Sequence, residues 1–196
     1  PVADRLVDGL RRMEYRGYDS AGICTLDGGQ MVRRRAEGKL LNLVGVLQNE
    51  PAAGTTGIAH TRWATHGAPT TDNAHPHQAG PVAVVHNGII ENYRDLKEFL
   101  SSKGFEFASD TDSEVIAHYT QLIMDEEPKL TFTEAIKKVV PKLAGTYGIL
   151  FIHQDYPNTL VGVRNGSPLC FGLGDHEEFI ISSDVVAFAT HLQRVI

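Results

Sequence analysis

Apolar residues in this chain recur first at a helical period and later at a strand period. Val2, Leu6, Leu10 and Met13 fall on one stripe, with Asp4, Asp8, Arg11 and Arg12 elsewhere on the wheel. That spacing predicts a first helix, running out across residues 14–22. Residues 23–26 read as a strand, 27–29 (Asp-Gly-Gly) as a hairpin turn and 30–35 as its return strand. Leu40, Val44 and Leu47 predict a short second helix, closed before Pro51. A short strand follows at 57–61. Residues 68–80 are polar and proline-containing with no period, which predicts a loop. The nearly continuous apolar run at 81–86 predicts a strand covered on both faces, stopping at Asn87-Gly88. Tyr93, Leu96, Phe99 and Leu100 predict an amphipathic helix ended by Gly104.

Two stretches have the spacing of a capping box: Thr111-Asp112-Ser113-Glu114 and Thr131-Phe132-Thr133-Glu134. Each is expected to open a helix, the second disturbed at Pro141. The period then changes, and 148–153, 159–164, 169–173 and 178–182 read as four strands. Ser183-Asp184 is placed to cap a short helix over 185–190, and residues 194–196 look like the start of another strand. Strand pairs with tight turns alternate with helix pairs. This favours an α+β fold of antiparallel sheets covered by helices over a doubly wound parallel sheet.

Composition narrows the function. The chain has 196 residues and a net charge of −6, which argues against a nucleic-acid surface. Arg33-Arg34-Arg35, the one basic run, reads as a solvated strand or loop. No apolar run is long enough to span a bilayer, and no membrane partner is expected. Cys24 and Cys170 sit in apolar, strand-like surroundings and read as buried free thiols in a reducing compartment. Such burial raises a thiol pKa, so neither is expected to be a nucleophile.

The candidate chemistry lies in three loops. His60–Gly67 (HTRWATHG) packs a guanidinium, the only Trp and several hydrogen-bonding side chains into eight residues. Arg62 suits a carboxylate because its fork is planar and bidentate. Asp112, at a helix start, offers an anion to an ammonium group. Asn87 and Gly88 offer an amide NH2 and an unhindered backbone N–H to a polarised carbonyl oxygen, an oxyanion hole. Each has a plainer alternative: a surface turn, a dipole-stabilised helix terminus, a tight Asn-Gly turn. His60, His66, His75, His77 and His86 raise the question of a metal. His75-Pro76-His77 is expected to splay its rings and no carboxylate sits at ligand spacing, so no metal and no other cofactor is expected.

The motifs EYRGYDSAG, HTRWATHG, AHPH, VVHNGIIEN, SDTDSEV and GSPL resemble the glutaminase domain of the glucosamine-6-phosphate synthase family, a class II glutamine amidotransferase, over almost the whole chain. The resemblance implies an N-terminal-nucleophile hydrolase fold, a four-layer αββα sandwich of two antiparallel sheets. It implies L-glutamine as substrate, a terminal cysteine as nucleophile and ammonia as the product passed to a sugar-phosphate isomerase domain of the same parent chain. Carried onto this sequence, Arg62 would hold the α-carboxylate with Thr65, His66 and His75, and Asp112 the α-ammonium. Asn87 and Gly88 would form the oxyanion hole. Trp63 would belong to a flap, and Arg16 and Gly17 would support the cysteine. The parent is expected to be a cytoplasmic homo-oligomer. On this resemblance, residues 1–196 are a glutamine amidotransferase type-2 domain lacking its first strand, its N-terminal Cys and the isomerase domain. The fragment alone is expected to be inactive. The alternative is a catalytically dead glutamine-binding or interaction module.

Overall fold

The computed structural model describes residues 1–63, 67–174 and 178–188, and the backbone of 192–195. The first helical stripe becomes α1 (Val2–Met13), followed by a 3-10 turn at Glu14–Arg16. Strands β1 (Ser20–Asp27) and β2 (Gln30–Glu37) form the hairpin, and α2 (Leu40–Asn49) leads to β3 (Thr56–Arg62). β4 (His77–Ala79) and β5 (Val82–Ile90) precede three helices, α3 (Tyr93–Ser102), α4 (Glu114–Glu126) and α5 (Phe132–Val139). The chain continues through β6 (Gly145–His153), β7 (Val161–Asn165), β8 (Cys170–Gly174), β9 (Phe179–Ser182) and β10 (Leu192–Val195).

Alternation along the strands builds the layers. In β1, Ala21 and Ile23 face α1 and α2, packing with Leu10 and Leu43. Cys24 and Leu26 face the other way, joining Ile58 of β3 against Ala83 and Val85 of β5 and Ile152 of β6. The intervening residues of β5 and β6, Val82, Val84, Ile149 and Phe151, pack on Ile116 of α4 and on Phe132 and Ile136 of α5. The order is helices, sheet β2-β1-β3, sheet β4-β5-β6-β7, helices. Every strand pair described is antiparallel. This is the expected αββα sandwich. Beside it stands a third, smaller sheet, β10-β8-β9, which the strand pattern did not separate from the second.

Several boundaries differ from expectation. β5 does not stop at Asn87-Gly88; it pairs with β6 as far as Ile90 opposite Gly145. Gly88 keeps its place in the ladder at φ +131°, a conformation that an L side chain rarely adopts. The loop at 68–80 ends in β4, whose three residues are too short to display a period. The first capping box does not form. Ser113 holds the N-cap position with helical φ −77° and ψ −29° and makes no side-chain cap bond. Thr111 instead meets His77 (Oγ1 to Nε2, 3.0 Å), and Glu114 accepts from the Ala108 and Ser109 backbone N–H groups at 2.9 and 2.7 Å. The second box does form: Glu134 N–H donates to Thr131 Oγ1 at 3.4 Å, and Thr131 N–H donates to Glu134 at 2.8 Å. Pro141 converts the end of α5 into a 3-10 turn, Val140–Lys142. The last expected helix shrinks to a 3-10 turn, Val185–Ala187, capped by Asp184; residues 189 and 190 lie outside the described residues.

The triple arginine is not a solvated run. Arg35 donates to the Asp72 and Ala74 carbonyls, both at 3.0 Å, and Arg33 donates to that of Pro76 at 3.3 Å. β2 thereby holds down the chain on either side of His75. Cys24 is buried as expected, whereas Cys170 is only half-buried. Among the described residues no helix is long and apolar enough to cross a membrane.

Candidate functional site

The period-two pattern that makes the inter-sheet core also makes the site. Ile58, His60 and Arg62 share one face of β3, and Ala83, Val85 and Asn87 share one face of β5. Their apolar members meet between the sheets. Their polar members continue the same rows to one end, where His60 Nε2 lies 2.8 Å from Asn87 Oδ1. A cavity of about 480 Å³ opens there, and Arg62, Trp63, His75, Asn87, Gly88 and Asp112 all line it.

Arg62 and Asp112 are each only 4% exposed, so each charge must be held by polar partners. Arg62 donates to the Gly67 and Ala68 carbonyls, both at 3.1 Å. Burial pushes its guanidinium pKa down, while Asp19 and Asp112 hold it up. Asp112 Oδ2 accepts the Ile90 backbone N–H at 2.8 Å, which ties the start of α4 to the end of β5. A buried cation and a buried anion thus face one cavity. That pair of walls suits a small zwitterion, and the amide of Asn87 lies beside them.

Neighbours fix the cation's loop. Asn73, buried, donates to the same Ala68 carbonyl at 2.9 Å, and its Oδ1 accepts the Asp110 N–H at 2.9 Å. Gly17 lies against the Arg62–Trp63 backbone, where a Cβ would stand 2.8 Å from the Arg62 carbonyl carbon. Arg16 reaches the cavity wall and donates to Ser183 Oγ at 3.3 Å, with Asp184 at 3.5 Å. Trp63 is 61% exposed and meets Tyr18 edge-on at 5.5 Å. Thr65 and His66 lie outside the described residues.

The histidines correct one expectation. His75 and His77 do not splay; their rings meet at 4.6 Å across a cis His75–Pro76 bond, and His75 packs on His60 at 4.2 Å. Among the described residues no three metal-binding side chains stand together in position to hold an ion. Burial lowers the pKa of His60 to about 4, more than its hydrogen bond with Asn87 raises it. Burial also lowers His86 to about 4, and lowers His75 and His77. These imidazoles are therefore neutral near pH 7. His86 Nδ1 meets Ser113 Oγ at 2.8 Å. Neither cysteine has the setting of a nucleophile: burial pushes the Cys24 thiol up to about 12, and Cys170 lies in β8 of the third sheet.

Sequence reasoning missed three contributors. His60 stands out in the sequence only as a metal candidate, although its place two residues before Arg62 on a strand puts both on one face. Gly22 accommodates the His75 carbonyl, which a Cβ would strike; the close approach of that loop to β1 has no sequence signal. Asn73 looked like ordinary loop polarity.

A family model described as a glutamine amidotransferase domain matches residues 60–190. The chain is 52% identical over 196 residues to a glutamine–fructose-6-phosphate aminotransferase (isomerizing) of Zymomonas mobilis, covering 99% of this chain and 32% of that protein. The corresponding protein of Acinetobacter baylyi is 50% identical over 195 residues, covering 100% and 31%. The chain thus spans about a third of the length of these curated relatives. Among solved structures, the glutamine phosphoribosylpyrophosphate amidotransferase of B. subtilis superposes with a TM-score of 0.79 at 24% identity, over 98% of this chain and 42% of that one. That likeness speaks for the fold alone.

Proposed function

The chain belongs to the glutamine amidotransferase domain family, and from that premise we propose that it is the glutamine-hydrolysing part of an enzyme converting fructose 6-phosphate to glucosamine 6-phosphate. In this reading the full-length protein carries a sugar-phosphate isomerase domain, assembles as a homo-oligomer and works in the cytoplasm. The similarity to isomerizing aminotransferases along the whole chain supports the reaction, and the threefold greater length of those relatives supports a second domain.

One observation carries the substrate assignment: buried Arg62 and buried Asp112 line a single cavity together with Asn87 and Gly88. Glutamine has an ionic group of each sign at its α-carbon and a neutral amide at the far end. Arg62 takes the α-carboxylate, with His75 beside it and Thr65 and His66 from the same loop. Asp112 takes the α-ammonium. The side-chain amide then lies against Asn87 and Gly88, which donate to its oxygen.

The nucleophile is a terminal cysteine of the mature enzyme, outside these 196 residues; Arg16 and Gly17 support its position. Its α-amine, with pKa near 8, takes the thiol proton, a nearly balanced transfer. The thiolate adds to the amide carbon, and the carbonyl oxygen becomes an oxyanion held by Asn87 and Gly88. Collapse breaks the C–N bond, the nitrogen leaves protonated as ammonia, and a thioester remains. Water hydrolyses the thioester to glutamate. Trp63, at the mouth, shields the site and faces the route taken by ammonia.

The test is release of glutamate and ammonia in equal amounts from L-glutamine by the full-length protein, with irreversible loss on treatment with a thiol-reactive glutamine analogue. Absence of release, with glutamine still bound, would favour a non-catalytic glutamine-binding module.

A further inference from the structure

The geometry points to His60 as a positioning residue for the oxyanion hole: we infer that its imidazole fixes the Asn87 amide so that the NH2, rather than the carbonyl, faces the reacting oxygen. This rests on the glutaminase reading above and adds to it a residue that touches neither end of the substrate's amino-acid moiety.

An asparagine amide has two nearly isosteric ends of opposite polarity. One end of Asn87 helps catalysis; the other repels the oxyanion. Something must choose between them. Asn87 stands in β5 with its side chain directed to β3, where its Oδ1 meets His60 Nε2 at 2.8 Å. A neutral imidazole carries one N–H. Buried Nδ1 has no partner in hydrogen-bonding geometry, the His86 backbone being the other polar group that acts on the ring, whereas Nε2 stands 2.8 Å from an oxygen; the proton therefore belongs on Nε2. Nε2–H donates to Oδ1, and the NH2 is left for the cavity. The ring cannot readily turn over to reverse this, because His75 packs on it at 4.2 Å. A flipped Asn87 would set a donor against a donor. The neutral state that burial imposes on His60 keeps Nδ1 unprotonated and the ring uncharged in this packed setting.

His60 therefore acts on turnover and not on substrate binding. The oxyanion exists only near the transition state, whereas Arg62 and Asp112 grip glutamine in the ground state as well. A residue that only filled space between the sheets would affect stability, or KM and kcat together.

The experiment compares His60→Gln, His60→Asn and His60→Phe in the full-length protein, measuring kcat and KM for glutamine hydrolysis. Gln carries its amide nitrogen near the place of Nε2; Asn is too short to reach it. His60→Gln should keep kcat within about threefold of wild type, while His60→Asn and His60→Phe lose about tenfold or more, a part of what removal of an oxyanion donor costs. KM should stay within about twofold throughout. Adding His60→Phe to Asn87→Ala should cost no further kcat, because the two act through one hydrogen bond. Should His60→Phe fail to fold, the Gln and Asn variants decide the matter. Equal activity of those two, a change confined to KM, or additive losses in the double variant would overturn the inference while the wild type remains a glutaminase. A wild type that releases no ammonia would overturn the glutaminase reading and this inference with it.

Discussion

Asn87 and Arg62 make different demands on a substitution. In the proposed reaction Asn87 stabilises a charge that develops only near the transition state, so Asn87→Ala should lower kcat by about 10²–10³ and leave KM for glutamine nearly unchanged. Steady-state kinetics check this, and a rise in KM with kcat intact would remove the oxyanion role. Arg62 and Asn87 were legible in the sequence as candidates because a cation and an amide beside apolar strands call for a reason. The bond from His60 to Asn87 was not legible: it joins two strands of different sheets, and no local spacing encodes which rows of side chains meet. The arginine run shows the same gap. Its charges suggested solvent, yet Arg33 and Arg35 donate to loop carbonyls that only the folded chain brings near.

Elements were readable where the signal was local and long. α1, the first hairpin and α5 follow directly from periodicity, turn residues and capping chemistry. The two Thr-x-x-Glu stretches mark the limit of that logic. Thr131 and Glu134 are exposed, with water as their competitor, and they cap α5. Thr111 and Glu114 have buried partners available, His77 and the Ala108 and Ser109 backbone, and take those instead. Thr131→Ala should therefore cost about 1 kcal/mol of stability and leave glutaminase kinetics unchanged; denaturant unfolding reads the one and turnover the other. Gly88→Ala should be far more damaging. It sets a Cβ against the Thr146 carbonyl of β6 at φ +131°, strain on the order of 1–3 kcal/mol before the collision is counted, and it displaces the N–H proposed for the oxyanion hole. Activity should fall even in the fraction that stays folded, as active-site titration with the glutamine analogue would show.

At the scale of the molecule, the sandwich stacks two sheets whose apolar ends fuse and whose polar ends part to form the site. The histidine cluster at that parting has a consequence for pH. His60, His75, His77 and His86 all have folded-state pKa values held below their ordinary 6.5 by burial, with Arg33, Arg35 and Arg62 opposing protonation and Asp112 and Glu114 favouring it. Below pH 6.5 the unfolded chain binds protons that the folded chain refuses. Their contribution to stability is thus fully present above about pH 6.5 and is lost as pH falls through about 4 for His60 and His86 and about 3 for His77. Burial raises the Glu114 carboxyl, but hydrogen bonds from His118, Ser109 and the backbone outweigh it and hold the pKa at about 2, adding a further loss from pH 4.5 downward. Hydrogen-exchange protection of β3 and β5, corrected for intrinsic rates, should fall steeply below pH 6.5. A flat profile to pH 4.5 would mean that the cluster is hydrated and protonates freely.

The central claim is that Arg62 and Asp112 grip the two oppositely charged groups on the α-carbon of one amino acid. The most direct measurement is kcat/KM of the full-length enzyme and its Arg62→Ala variant, each with glutamine and with glutamine α-methyl ester. Wild type should discriminate strongly against the ester, and Arg62→Ala should treat the two substrates nearly alike. If the variant still penalises the ester as heavily as wild type does, the guanidinium does not hold the carboxylate, and the substrate lies elsewhere.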